Sequence, residues 1–146
     1  MQKGFATLEV ILMVMVIGIL ASIAVPRFTA VTTAANTAKI QSDLSTIDTA
    51  IAIYIMEKGT PNSTATISIT TDLKPYLQDV DNLKPPTGQC YVNGEAKDIS
   101  GTSYIVKKVD SEYRALLKIG SDEKKAGDFS TTKTSTGSGS GDSDDD

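Results

Sequence analysis

Residues 1–28 read MQKGFATLEVILMVMVIGILASIAVPRF, and the fold turns on how this stretch is read. Glu9 stands at its head, and the next sixteen residues, Val10–Val25, carry no charge. A charge at the centre of a membrane-spanning helix costs roughly 2.5 to 3.5 kcal/mol on insertion scales, so a carboxylate in such a run has a functional reason to be there. Phe5–Val25 is 21 residues long. A helix of that length spans about 31 Å, close to the hydrocarbon thickness of a bilayer. Lys3 and the chain terminus place positive charge ahead of it, which keeps the N-terminus cytoplasmic and puts the bulk of the chain on the far side. Two further readings stay open at this point. Ser22, Ile23 and Ala24 supply the small residues that a secretory signal peptidase reads, and an uncleaved single-pass anchor fits the same span.

Beyond Pro26 the helical pattern continues. Ile40, Leu44, Ile47, Ile51 and Tyr54 step by 4, 3, 4 and 3, an amphipathic stripe that forms the expected core face of the head. Lys39, Asp43 and Asp48 fall off that stripe. Phe28 to Ile55 contains neither Gly nor Pro, so one continuous helix from about Phe5 to about Met56 is predicted. Pro26 removes a backbone hydrogen bond and crowds the preceding turn, which predicts a bend. Gly18 and Ser22, four apart, lower the bulk on one face and permit close helix approach or local melting.

Gly4, Phe5, Thr7, Leu8 and Glu9, followed by a long apolar run and Pro26, resemble the class III signal of type IV pilins and of the type II secretion pseudopilins. The resemblance is close over roughly the first 30 residues and looser over the head. It implies cleavage between Gly4 and Phe5 by a prepilin peptidase, and N-methylation of Phe5. It implies a subunit in the cytoplasmic membrane that polymerises with copies of itself and with minor pilins, through assembly machinery in that membrane. The product is an extracellular pilus or a periplasm-side pseudopilus. Residues Gly18, Ser22 and Pro26 then form a helix hinge, with Pro26 at the family position. In such a filament Glu9 neutralises the freed ammonium of Phe5 on a neighbouring copy and sets the axial register, because an unpaired buried charge is costly.

Gly59, Pro61 and Asn62 end the helix. Thr64–Thr70, TATISIT, reads as a short strand or an extended loop. Thr71 and Asp72 are placed to cap a helical turn over Leu73–Leu77, and DVDNLKPPTG follows as a loop. Gln89–Val92 and Glu95–Ile99 read as a hairpin turning at Asn93 and Gly94, and Ser103–Val109 and Glu112–Ile119 as a second one turning at Asp110 and Ser111. Tyr113, Ala115, Leu117 and Ile119 share a face that can pack on the helix stripe. The fold class is therefore α+β, a long helix laid on a small antiparallel sheet. The loop before the sheet loosely resembles that of the pseudopilins but carries Pro85, Pro86, Thr87 and Gly88 where they have an Asp-Pro-Trp-Gly-like turn. Asp79 and Asp81 read as solvated carboxylates, and no metal or cofactor is assigned.

The expected division is a leader at 1–4, a membrane or filament-core helix at 5–27, an amphipathic helix at 28–57, sheet and loops at 58–120, and a disordered Gly/Ser/Thr/Asp tail at 121–146. The chain has 18 acidic and 14 basic residues, and the last segment holds seven of the acids against three lysines, so the body is balanced. Such a body has no basic stripe to supply nucleic-acid affinity. Histidine is absent from the sequence. No nucleophile and base stand at a recognisable spacing, and GSGSG in the tail neither follows a strand nor opens a helix, so the pattern favours a structural subunit over an enzyme. Cys90 has no partner for an internal disulfide and reads as a small buried hydrophobe.

Overall fold

The computed structural model describes residues 2–62 and 65–133. Its first element, α1, is a single helix from Gln2 to Lys58. It begins earlier than the sequence pattern predicts and runs through Gly4 and Pro26 without interruption. Ala, Leu, Met and Ile supply strong helix formers along its length, and the Gly59 φ of 85° ends it, with the Gly59 N–H bonded to the Ile55 carbonyl at 2.8 Å.

The stripe expected to carry the head does so. Ile40, Leu44, Ile47 and Ile51 are buried, and Tyr54 is partly buried at its end. Against this face pack Leu73, Cys90, Tyr113, Ala115, Leu117 and Phe129. β1 (Gln89–Val92) and β2 (Glu95–Asp98) form one antiparallel ladder; β3 (Ile105–Val109), β4 (Glu112–Ile119) and β5 (Asp122–Lys124) form another in the order β3-β4-β5. The head thus has two small sheets where the sequence led us to expect one. Both predicted hairpins are present. Their turn residues take the left-handed backbone that type I′ turns require: Asn93 and Gly94 at φ 50° and 81°, Asp110 and Ser111 at φ 50° and 73°.

α1 does more than offer an apolar face. The Asp48 carboxylate accepts the Ala115 N–H at 2.7 Å, on the stretch of β4 that β5 does not reach. The Thr37 hydroxyl accepts the Tyr91 N–H of β1 at 2.8 Å, while Asn36 donates to the carbonyls of Thr87 and Gln89. Asp43 accepts the Tyr104 hydroxyl and pairs with Lys39. Asp43 and Asp48 lie off the apolar stripe as the sequence indicates, but they serve as tethers to the sheets. Each backbone group taken up in this way would otherwise be an unpaired strand edge.

One open reading is resolved and three expectations need correction. First, of the strand or extended loop read for TATISIT, its described part, Ala65–Thr70, takes the loop; Ser63 and Thr64 lie outside the described residues. Second, Asp72 does not cap the turn that follows. Its carboxylate accepts the Ser68 N–H at 2.8 Å, closing the loop backward, and the turn itself is a short 3-10 helix, Lys74–Tyr76. Third, the loop after it contains a second 3-10 turn, Val80–Asn82, whose Val80 is buried. Fourth, order does not stop at residue 120. Gly120, at φ 63°, reverses the chain into β5, and Phe129 after a further 3-10 turn, Ala126–Asp128, is fully buried. The segment then crosses the β1–β2 turn, where the Asn93 and Gly94 N–H groups donate to the Asp128 and Ser130 carbonyls. A Cβ on Gly94 would come within 2.8 Å of the Lys133 nitrogen, so this crossing needs glycine there. The remainder of the tail, residues 134–146, lies outside the described residues.

Phe129→Ala should therefore destabilise the head by about 3 to 5 kcal/mol, read from urea unfolding of the detergent-solubilised chain followed by circular dichroism. The Asp48 side chain yields a sharper test. Burial raises its pKa above the usual 3.8, outweighing the Ala115 N–H and the Arg114 guanidinium, which both lower it. A raised carboxyl pKa means its contribution is fully present below the unfolded value and is lost as pH rises through the folded one. Asp48→Asn keeps an acceptor for Ala115 without the charge and should stabilise the head at neutral pH while flattening that pH dependence. Asp48→Ala strands the Ala115 N–H and should cost about 1 to 3 kcal/mol.

Candidate assembly interface

The first half of α1 has a composition that its own chain does not bury. An 18-residue window within it reaches a mean hydropathy of 2.7 with no residue buried, so the helix is long and apolar enough to cross a membrane. Phe5 is 77 % exposed, Ile17 64 % and Phe28 71 %. From Lys3 to Thr32 every residue is exposed. Apolar surface on this scale must be covered by lipid or by another protein, because leaving it in water forfeits about 25 cal/mol for each Å².

Within this surface the structure places Phe5 and Glu9 one turn apart on the same side. Thr7, between them, donates its hydroxyl to the Lys3 carbonyl at 2.7 Å. Phe5 is bonded through its nitrogen to Gly4 in this chain, so it carries no free ammonium while that bond is intact. A Cβ at Gly4 or at Gly18 would meet no atom within 4 Å, and neither glycine has a positive φ. Nothing in the described fold requires glycine at these two positions.

Gly18, Ser22 and Pro26 follow at intervals of four along one side of α1. Pro26 has no N–H, so the Ser22 carbonyl loses its usual partner. Around it, side-chain hydroxyls take up carbonyls: Ser22 bonds to Ile19 at 2.7 Å, Thr29 to Val25 at 3.4 Å and Thr33 to Thr29 at 2.8 Å. Such back-bonding eases a bend in a helix.

The other residues with potential chemistry lie elsewhere and do not converge. Cys90 is buried in the head core, and burial pushes its thiol up to about 11. The Tyr104 hydroxyl is likewise held in its neutral form, by burial first and then by its bond to Asp43. Asp79, at φ 55°, and Asp81 are exposed at the second 3-10 turn, and among the described residues no three His, Cys, Asp or Glu side chains gather as a metal site. The polar helix positions that hold the sheets, Thr37, Asn36, Asp43 and Asp48, were missed as functional positions in the sequence reading. Their only local signal is that they flank the apolar stripe.

Two curated proteins resemble this chain. One is the type II secretion system core protein G of Pectobacterium carotovorum subsp. carotovorum, 28% identical over 103 residues, which covers 70% of this chain and 65% of that protein. The other is the type IV narrow pilus major component PilA5 of Thermus thermophilus, 40% identical over 60 residues, covering 40% of this chain and 52% of that protein. These relatives support the pilin and pseudopilin family. No protein-family profile matches the chain, and no solved structure matches it. The pilin α+β fold, a long N-terminal helix on small antiparallel sheets, is the architecture described above.

In a pilin-like chain with nothing packed against Gly18, replacing this glycine should help the isolated helix. Gly18→Ala should raise the stability of the first half of α1 by up to about 1 kcal/mol, seen as slower amide exchange around residue 18 in detergent micelles. The head core should be unchanged. A loss of helicity would mean that the glycine has a role within the single chain.

Proposed function

We propose that this protein is a structural subunit of a type IV pilus. A prepilin peptidase cuts it between Gly4 and Phe5, the new Phe5 amine is methylated, and the processed chain polymerises through the first half of α1 into a surface filament. Before assembly the subunit is anchored in the cytoplasmic membrane by that helix, with its N-terminus inside and its head outside. Its partners are copies of itself, minor pilins, the peptidase and the assembly machinery of the membrane. The observation that carries this reading is the unburied apolar half of α1, with a single carboxylate near its start, joined without a break to a helix that carries a small head.

In the filament the Glu9 carboxylate meets the Phe5 ammonium of a neighbouring copy. The pair specifies axial register, since only the aligned arrangement leaves neither charge buried alone. A second reading, the major pseudopilin of a type II secretion system, is favoured by one fact. The secretion relative aligns with 70% of this chain and the pilus relative with 40%, whereas the pilus relative is the more identical of the two.

Mass spectrometry of sheared surface filaments tests the proposal. The expected result is a mature chain beginning at N-methylated Phe5, with Glu9→Ala processed normally but poorly incorporated. A protein found only in the membrane fraction, with Phe5 at its start, points to the pseudopilus. A chain beginning at Met1 or Val25 overturns both readings.

A further inference from the structure

The β1–β2 hairpin has two edges, and only one of them is closed. Its two-residue turn at Asn93 and Gly94 makes Val92 and Glu95 a hydrogen-bonded pair, and Cys90 and Lys97 the next one. The backbone groups of the residues that alternate with these point away from the ladder. On β1 they belong to Tyr91 and Gln89, and α1 takes them up. Thr37 accepts the Tyr91 N–H at 2.8 Å, and Asn36 donates to the Gln89 carbonyl at 2.9 Å. On β2 they belong to Ala96 and Asp98, and among the described residues no backbone hydrogen bond crosses that edge. All four residues of β2 are exposed. Because β1 stands between α1 and β2, this open edge faces away from the helix. Glu95 and Lys97 also line a cleft of about 870 Å³ in the head, so their side chains have open space before them.

An open edge is a template for another strand, and charged side chains ordinarily guard it. The charges of β2 are arranged so that they match a copy of themselves. Glu95 and Lys97 share one face of the strand, 3.2 Å from each other, with the small Ala96 between them in sequence. Laid antiparallel on itself about Ala96, the strand sets Glu95 opposite Lys97 of the other copy, and Lys97 opposite its Glu95. The two Ala96 residues then exchange N–H and C=O, and each Asp98 N–H meets the Gly94 carbonyl across the pair. Centring the pair on Glu95, Lys97 or Asp98 instead sets two like charges face to face, which opposes those registers. β3 ends its sheet in a comparable edge, but it carries Lys107 and Lys108 and no acid to complement them.

We infer that β2 is a docking edge for β2 of a second copy of this chain, the two strands joining antiparallel about Ala96 into one sheet in the order β1-β2-β2-β1. The contact is isologous, so it closes on itself and does not propagate. Copies stacked in one polar filament are related by a screw and not by a two-fold axis. Within the filament reading above, the contact therefore joins one filament to another. That consequence rests on the filament reading, whereas the pairing of two heads does not. A single pair of four-residue strands makes a small, weak contact. Filaments lying side by side repeat it many times, and the repeats raise the effective concentration of each one.

Disulfide trapping of the full chain in detergent micelles tests the contact. In a hydrogen-bonded antiparallel pair the Cα atoms lie about 5.5 Å apart, within disulfide reach. Ala96→Cys, oxidised by air with copper phenanthroline, should give a reducible dimer. The dimer should be well above that from Lys108→Cys on the β3 edge, and above that from the unaltered chain, whose Cys90 is buried. Glu95→Lys and Lys97→Glu, each added to Ala96→Cys, should lower the dimer about tenfold, and both together should restore it, because the exchange rebuilds the two cross-strand pairs. A dimer no more abundant than that of Lys108→Cys, or unmoved by either reversal, or not restored by the two together, overturns the contact. A second measurement leaves Ala96 in place. Electron micrographs of filaments should show side-by-side pairs that each reversal removes and the double exchange regains, and filaments that stay single in the unaltered chain overturn the joining of filaments. Failure of the unaltered chain to form filaments overturns the proposed function, and the micelle result then decides the contact between heads.

Discussion

The face of α1 that bears Ile40, Leu44, Ile47 and Ile51 is the support on which two sheets too small to stand alone are built. A two-stranded hairpin is marginal in water, and a three-stranded ladder needs an apolar face to cover. Here both find that face on one helix. The helix in turn gains from them the burial that the first half of α1 lacks. Leu117 and Phe129 belong to the same buried cluster as this face, so removing it would open the core beneath both ladders.

Polar groups beside that face decide how the sheets are seated. Thr37 takes a strand N–H from β1 and Asp48 takes one from β4, each in a place where the ladder has no neighbouring strand. Asp48 sits partly out of water to do this, and its carboxyl is harder to ionise in consequence. The Tyr104 hydroxyl, anchored on Asp43, fixes the approach to β3 in the same manner. Apolar contact alone would let a ladder slide along the helix. Hydrogen bonds at defined heights on α1 do not, which is why these side chains set the register between helix and sheets.

Along its length α1 therefore changes its source of burial. Up to Thr32 it has no internal partner, whereas from Thr33 onward one side is closed by the head. The unburied half carries Glu9 and Arg27 with no ion-pair partner among the described residues, a glycine that no neighbour requires, and a proline whose missing N–H is surrounded by hydroxyls that take up nearby carbonyls. These are costs within a single chain. On the proposed filament reading the covering partner is another copy, against which the charges would be paired and the space beside Gly18 filled.

The sequence by itself determined the elements governed by short-range chemistry. The long helix and its stripe follow from a 3.6-residue spacing that needs no knowledge of what lies opposite. The two hairpins follow from Asn93-Gly94 and Asp110-Ser111, short turns between alternating residues. The N-terminal motif is legible for the same reason, being a fixed local arrangement of Gly4, Phe5 and Glu9. Tertiary structure alone decided the rest. Whether Asp48 idles in solvent or satisfies β4 depends on which strand lies beside it, 67 residues away. Phe129 is one apolar residue in a polar stretch, without periodicity to mark it, and it is buried because the chain turns back at Gly120 and crosses the β1–β2 turn. The split into two ladders was equally invisible in the sequence, because strand neighbours are chosen by long-range packing against α1, and local propensity carries no record of that choice.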